Sequence, residues 1–194
     1  LGPNRACYLP LGHRAPGAED LFGGGDLAPG QLPLRETLER LRPLLTARSV
    51  MKIAQNVKYD WLVLAQHGIE VAPVEDTMLA SFVLNAGRAR HDMDSMAEKY
   101  LGYRPVAYAE VAGKGAKQIA FSQVALDDAT QYAAEDADVT LQLHRHFAPQ
   151  LRSEPALEAL YRELEMPLQQ VLCDIEENGV LIDVALLQRQ SADL

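Results

Sequence analysis

Two short segments hold side chains whose types and spacing could do chemistry. In Tyr132-Ala133-Ala134-Glu135-Asp136-Ala137-Asp138 the Tyr132 phenol and the Asp136 carboxylate are four residues apart. On a helix that spacing sets them on one face. A carboxylate there can bind a cation while the phenol beside it holds a water. In Gln55-Asn56-Val57-Lys58-Tyr59-Asp60 an acid falls just inside a helix start, directly after a run that reads as a strand. Ligands of α/β proteins gather at the carboxyl ends of strands, and the helix dipole there favours negative charge. Taken singly, each segment also suits an ordinary amphipathic helix with a solvated acid.

Other groupings are poorer. Asp174-Ile175-Glu176 has the form Asp-x-Glu but sits in a helical pattern. Residues two apart on a helix point about 200° from each other. On a strand they would share a face. His144 and His146 have the same fault and are expected to be separate, solvent-facing side chains. Gly113-Lys114-Gly115 lacks the spacing and the Gly-Lys-Ser/Thr ending of a phosphate loop. Cys7 and Cys173 match no metal or disulfide spacing and read as free thiols.

These groups need elements to position them. Ala6-Cys7-Tyr8-Leu9-Pro10-Leu11 reads as a short strand, and residues 12–33, with Gly23-Gly24-Gly25, as a long loop. Leu34, Leu38, Leu41 and Leu45 form a helical stripe behind Pro33, with Pro43 expected to kink or shorten the helix. Val50–Ala54 reads as a buried strand and about 57–67 as a helix stopping at Gly68. Asp76 and Asp92 look like helix N-caps, the first for a helix through about Leu84 and the second for one ending near Gly102. Ser122 is expected to cap a helix over 123–148. Pro149 and Pro155 should separate it from another over about 156–177, kinked at Pro167 and ended by Gly179. Val180-Leu181-Ile182-Asp183 then leads into a last helix. The class is α/β, with a sheet incomplete on its N-terminal side.

The chain has 194 residues, 48% of them apolar, and a formal net charge of −9. That suits one domain, or one and the start of another. Taken alone, the charge argues against a broad basic face coating nucleic acid, and fits a small acidic site gripping a strand end. No apolar run approaches the roughly 18 residues that cross a bilayer, and no signal peptide is visible at residues 1–5. A cytoplasmic location, no membrane contact and a monomer are expected.

Taken together, Asn56-Val57-Lys58-Tyr59-Asp60, Asp76-Thr77-Met78-Leu79, His91-Asp92-Met93-Asp94-Ser95 and Tyr132 through Asp138 resemble the 3′–5′ exonuclease domain of bacterial DNA polymerase I, in order and spacing. The resemblance continues through Glu165-Met166-Pro167-Leu168 and Asn178-Gly179-Val180. It implies a ribonuclease-H-like exonuclease domain over residues 1–150. Over 151–194 it implies the first thumb helices of a polymerase domain. It also implies catalysis by Asp60, Tyr132 and Asp136, with two divalent ions, magnesium or manganese, held by Asp60, Asp136 and an Asp-x-Glu pair on the family's first strand. Gln55, Asn56, Arg90 and Tyr108 match positions that contact the single-stranded DNA 3′ end. The strand with Asp-x-Glu is expected upstream of Leu1, so this chain by itself is expected to be inactive and to bind metal weakly. Two alternatives stay open: a fold retained only to support the polymerase, and a ribonuclease-D-like RNA exonuclease.

Overall fold

The computed structural model describes residues 4–14, 27–88 and 90–193. Its centre is a β-α-β unit. Strand β1 (Lys52–Ala54) runs into helix α2 (Val57–Ala65), and the chain returns as β2 (Val74–Asp76). The strands are parallel, pairing Lys52 with Val74, Ile53 with Glu75 and Ala54 with Asp76. Among the described residues β1 has a strand partner on one edge only. Before this unit lies α1 (Leu34–Thr46), whose Leu38 is buried beside Ile69 and Val71. Pro43 does not end α1, which runs three residues further.

Helix α3 (Thr77–Asn85) follows β2 without a linker, capped by Asp76 as its sequence implies. Asp92 caps α4 (Met93–Met96), and a wide π-type turn over Ala97–Leu101 ends at Gly102 with φ 64°. After the short α5 (Tyr108–Ala112) comes α6 (Leu126–Ser153), the longest helix described. Val139, Leu143, Phe147 and Leu151 recur every four residues along it and are buried against Leu79, Val83, Met96 and Tyr161. Tyr132, Asp136 and Thr140 form a second stripe beside the first, and α6 packs on β1. One helix therefore anchors the core with one stripe and presents chemistry with the next.

Several expectations are corrected. Residues 6–11 form no strand. The Tyr8 ring packs instead against His13 and Phe121, and its hydroxyl meets His13 Nε2 at 2.6 Å. The second strand is β2, too short to read from pattern alone. Residues 15–26, with the three glycines, lie outside the described set. The expected loop is nonetheless pinned at both ends by an Arg14–Leu27 bridge and by Gln31 bonded to the His13 backbone. Ser122 sits in a 3-10 turn and does not cap α6, which starts at Leu126 behind Ala125. The charges of Asp127 and Asp128 serve that helix start in its place.

Pro149 does not separate two helices. The buried Phe147, Ala148 and Leu151 hold α6 together across it, and the break comes at Glu154. Helix α7 (Pro155–Ala159) then widens into a π-type turn over Leu160–Glu165 and tightens as α8 (Met166–Asn178). Pro167 explains the widening: it lacks the N–H for the i−4 carbonyl and its ring crowds that oxygen. Gly179, at φ 70°, ends α8, and α9 (Val184–Asp193) follows. His144 and His146 are not free in solvent either. His144 lies 3.3 Å from Glu75, and burial holds its pKa down. His146 packs on Tyr100 and Phe147. No described helix is long and apolar enough to cross a membrane.

Candidate active site

A cavity of about 390 Å³ opens where β1, α2, α4 and α6 meet. Asp60, from the first turn of α2, and Asp136, from α6, both line it, although 76 residues separate them in sequence. Ile53, Ala54 and Gln55 form the wall at the end of β1, and Met93 and Thr140 close the far side. The acids predicted from two separate segments therefore share one site.

The electrostatics are those of crowded carboxylates. Burial, then the charge of Asp76, pushes Asp60 up to about 6, even though part of its residue surface stays in solvent. Burial also pushes Asp136 up to about 6, with Asp94 and Glu135 adding repulsion and the Tyr132 hydroxyl partly offsetting it. Asp136 Oδ1 is buried and has no hydrogen-bond partner. A buried carboxylate oxygen without a donor is costly, and a cation would relieve it. Tyr132 is raised well above the usual phenol range, first by burial and next by Asp136. It stays a neutral donor. Among the described residues no group of three or more His, Cys, Asp or Glu forms a metal cage. Two converging carboxylates with one unpaired oxygen fit part of a divalent-cation site and not the whole of one.

The other predicted residues fall into two groups. Gln55 is held: its Oε1 accepts from Thr77 and its Nε2 donates to the His91 carbonyl at 3.1 Å. Asn56 precedes α2 in the left-handed region, φ 59° and ψ 52°, which Asn tolerates better than most residues. It lets the chain turn from β1 into α2 within two residues, Gln55 and Asn56. Tyr108 is stacked on Phe121 at 6.1 Å and meets the Tyr132 ring edge-on at 5.9 Å. An aromatic surface therefore leads to the phenol. Arg90, by contrast, is not drawn into the cavity. It is exposed and pairs with Asp92 at 3.0 Å.

Some contributors are not evident from spacing. Asp76 reads as a helix cap, yet it also receives the Asn56 and Val57 N–H groups and raises Asp60. Asp94 is near enough to influence both Asp136 and Tyr132. Tyr59, directly before Asp60, is 70% exposed. The Asp-x-Glu of 174–176 is a decoy, as its helical setting implies. Glu176 pairs with Lys58, and Asp174 accepts from Gln170.

The chain is similar to known proteins over nearly its whole length. A family model described as 3′–5′ exonuclease matches residues 19–152. DNA polymerase I of Rhizobium leguminosarum is 48% identical over 190 residues, 98% of this chain and 18% of that protein. DNA polymerase I of Pseudomonas aeruginosa is 44% identical over 192 residues, 97% of this chain and 20% of that protein. The chain thus spans about a fifth of the length of these curated relatives. Among solved structures, the POL domain of Pol1 from M. smegmatis, in complex with DNA primer-template and dNTP, shares the fold. Its TM-score is 0.65 at 21% identity, over 89% of this chain and 27% of that one. The 3′–5′ exonuclease family generally uses divalent metal ions. The chain belongs to the 3′–5′ exonuclease family, in the form carried by bacterial DNA polymerase I.

Proposed function

We propose that this chain carries the proofreading exonuclease of a longer DNA polymerase I polypeptide, hydrolysing 3′-terminal nucleotides of single-stranded DNA. The observation that carries this reading is the convergence of Asp60 and Asp136 on one cavity, with the Asp136 oxygen unpaired and Tyr132 beside it. Asp60 and Asp136 would hold the divalent ions, and carboxylate oxygens suit magnesium or manganese. Bound there, such ions lower the pKa of an attacking water and stabilise the leaving 3′ oxygen. Tyr132, kept protonated with its one hydroxyl proton toward Asp136, would accept from that water and fix its orientation.

Among the described residues one edge of β1 has no strand partner, which supports a ribonuclease-H-like sheet completed by another strand. A strand added there would run beside the cavity, and an Asp-x-Glu on it would present both acids on one face. Helices beyond residue 150 support a second unit. Leu160, Leu164, Leu168, Val171 and Ile175 form a stripe 38–55% exposed, and Val180, Leu181 and Ile182 are more exposed still. Such a face suits the remainder of a polymerase chain, with 1–150 as exonuclease and 151–194 as the start of the polymerase domain.

The test uses the full-length polymerase, 3′-labelled single-stranded DNA and manganese or magnesium. Release of mononucleotides from the 3′ end is the expected result, and release from the 5′ end alone or no metal dependence would refute it. Tyr132→Phe should keep measurable hydrolysis, reduced by about tenfold to a hundredfold, because positioning suffers while the acids remain. A wild-type rate in that variant would remove Tyr132 from the mechanism.

Net charge −9 leaves little background attraction to phosphate, so grip rests on a few contacts. Gln55 and Asn56 can hydrogen-bond the terminal sugar, and Tyr108 and Tyr59 can stack on a frayed base. Arg90 can swing from Asp92 to a backbone phosphate, since their pair is exposed and weak. Arg90→Ala should weaken binding and flatten the log–log salt slope by about one unit, with melting unchanged. Fluorescence anisotropy at several salt concentrations checks this, and an unaltered slope would leave Arg90 as a partner of Asp92 only.

A further inference from the structure

Helix α2 begins without help from its own cap residue: Asn56 makes no side-chain cap bond. Its first N–H groups go to a residue twenty positions away. Asp76 Oδ2 accepts from Val57 N at 2.7 Å, and Oδ1 accepts from Asn56 N at 3.2 Å. The same Oδ1 accepts from Met78 N at 2.7 Å and Leu79 N at 3.3 Å, the first turn of α3. One carboxylate, 1% exposed, therefore joins two helix N-termini. The next residue extends the join. Thr77 Oγ1 bonds the Ala54 carbonyl at 3.1 Å and also contacts Gln55 Oε1. Residues 54–57 thus hang on residues 76–77, and Asp60 is one helical turn further on.

Asp76 is itself gripped from outside the region that matches the exonuclease family model. The Tyr161 hydroxyl accepts from Asp76 N at 2.8 Å and donates to Asp76 O at 3.2 Å. Tyr161 is 2% exposed, at the centre of the core, and comes from the π-type turn between α7 and α8. Its neighbour Arg162 holds Glu75 at 3.2 Å. Two consecutive residues of one helix thus grip two consecutive residues of β2. A left-handed non-glycine residue such as Asn56 persists only where its surroundings over-determine it, and this network supplies that constraint.

We propose that Asp76 and Tyr161 are positioning residues of the exonuclease site, setting the register of α2 and so the placement of Asp60 from the helix that leads away from the exonuclease region. This rests on the exonuclease reading above. Neither residue lines the cavity, so they act through α2 and touch neither substrate nor metal.

The test uses the full-length polymerase. Tyr161→Phe removes one hydroxyl and no packing volume. It should lower exonuclease kcat by about tenfold, as a sub-ångström displacement of a ligand does, with KM for single-stranded DNA unchanged. The manganese concentration for half-maximal rate should rise, and excess manganese should restore part of the rate. Amide exchange at Asn56 and Val57 should quicken, a readout independent of activity. Nucleotide incorporation should stay at wild type. Asp76→Asn, which faces an NH2 toward a backbone donor, should act in the same direction and more strongly. Leu143→Ala controls for lost stability alone and should leave kcat and manganese dependence unchanged below its Tm. Wild-type kcat, manganese dependence and amide exchange in Tyr161→Phe would overturn the proposal, whatever happens to its melting. Asp136→Ala separates the two readings. If it is inactive while Tyr161→Phe is wild type, only the positioning role fails. If it retains activity, the exonuclease site itself is misplaced.

Discussion

Asp60→Ala or Asp136→Ala, made in the full-length polymerase, should cut hydrolysis of 3′-labelled single-stranded DNA by about a thousandfold or more, a loss of about 4 kcal/mol of transition-state stabilisation. Nucleotide incorporation should be untouched. The size of the effect follows from the small number of ligands. Among the described residues only these two acids line the cavity, and Asp136 presents an oxygen with no other partner there. Losing either one removes charge and coordination together, and the neighbouring Glu135 is not placed to substitute. Glu135 is already committed to the Tyr103 hydroxyl and to Val106 N. Single-turnover kinetics at saturating manganese gives the rate. A variant within tenfold of wild type would mean that the acids are bystanders.

Acidification should weaken metal loading almost as strongly. Cations bind the ionised carboxylates, and both acids are pushed up to about 6. At about pH 5 each is ionised roughly one time in ten, so apparent manganese affinity should fall by about a hundredfold from its value near pH 8. For folding the sign is opposite. A carboxyl raised on folding makes the folded chain bind more protons than the unfolded one between about pH 4 and pH 6. Metal-free stability therefore falls as pH rises through that window and stays reduced above it. Asp60→Asn with Asp136→Asn should raise metal-free stability near pH 8 by about 1–2 kcal/mol, allowing for the solvent reaching Asp60. The gain should vanish below about pH 4. Thermal melts in chelator across pH, with manganese titrations alongside, test both halves. A double Asn variant no more stable than wild type at high pH would show that the two carboxylates are not under strain.

The helices were largely legible because their signals are local. Asp76 and Asp92 cap where their side chains can reach the next backbone N–H groups, and Gly68, Gly102 and Gly179 end helices with the positive φ that other residues resist. Patterns failed where a long-range contact overrode them. Ala6–Leu11 has strand composition, but Tyr8 is drawn into the His13–Phe121 cluster. Pro149 reads as a helix breaker, but the buried stripe of α6 carries the helix past it. Strand β2 has three residues, too few for any period to show.

By itself the sequence determined the chemistry available. It set a phenol and a carboxylate on one helix face, an acid after a strand, and a charge balance unsuited to a broad grip on DNA. Those are properties of residue type and of spacing along a single element. Spacing alone did not say which acids meet; the family resemblance implied it, and the tertiary structure brings them to one cavity. Asp60 and Asp136 share a cavity because α6 packs across β1, and the Asp-x-Glu of α8 is excluded because Glu176 is turned toward Lys58. It also decided that Asp76, legible only as a local cap, joins α2 to α3 and is held by Tyr161, 85 residues away. A buried carboxylate must find donors wherever the fold brings them, and no spacing rule along the chain encodes that meeting.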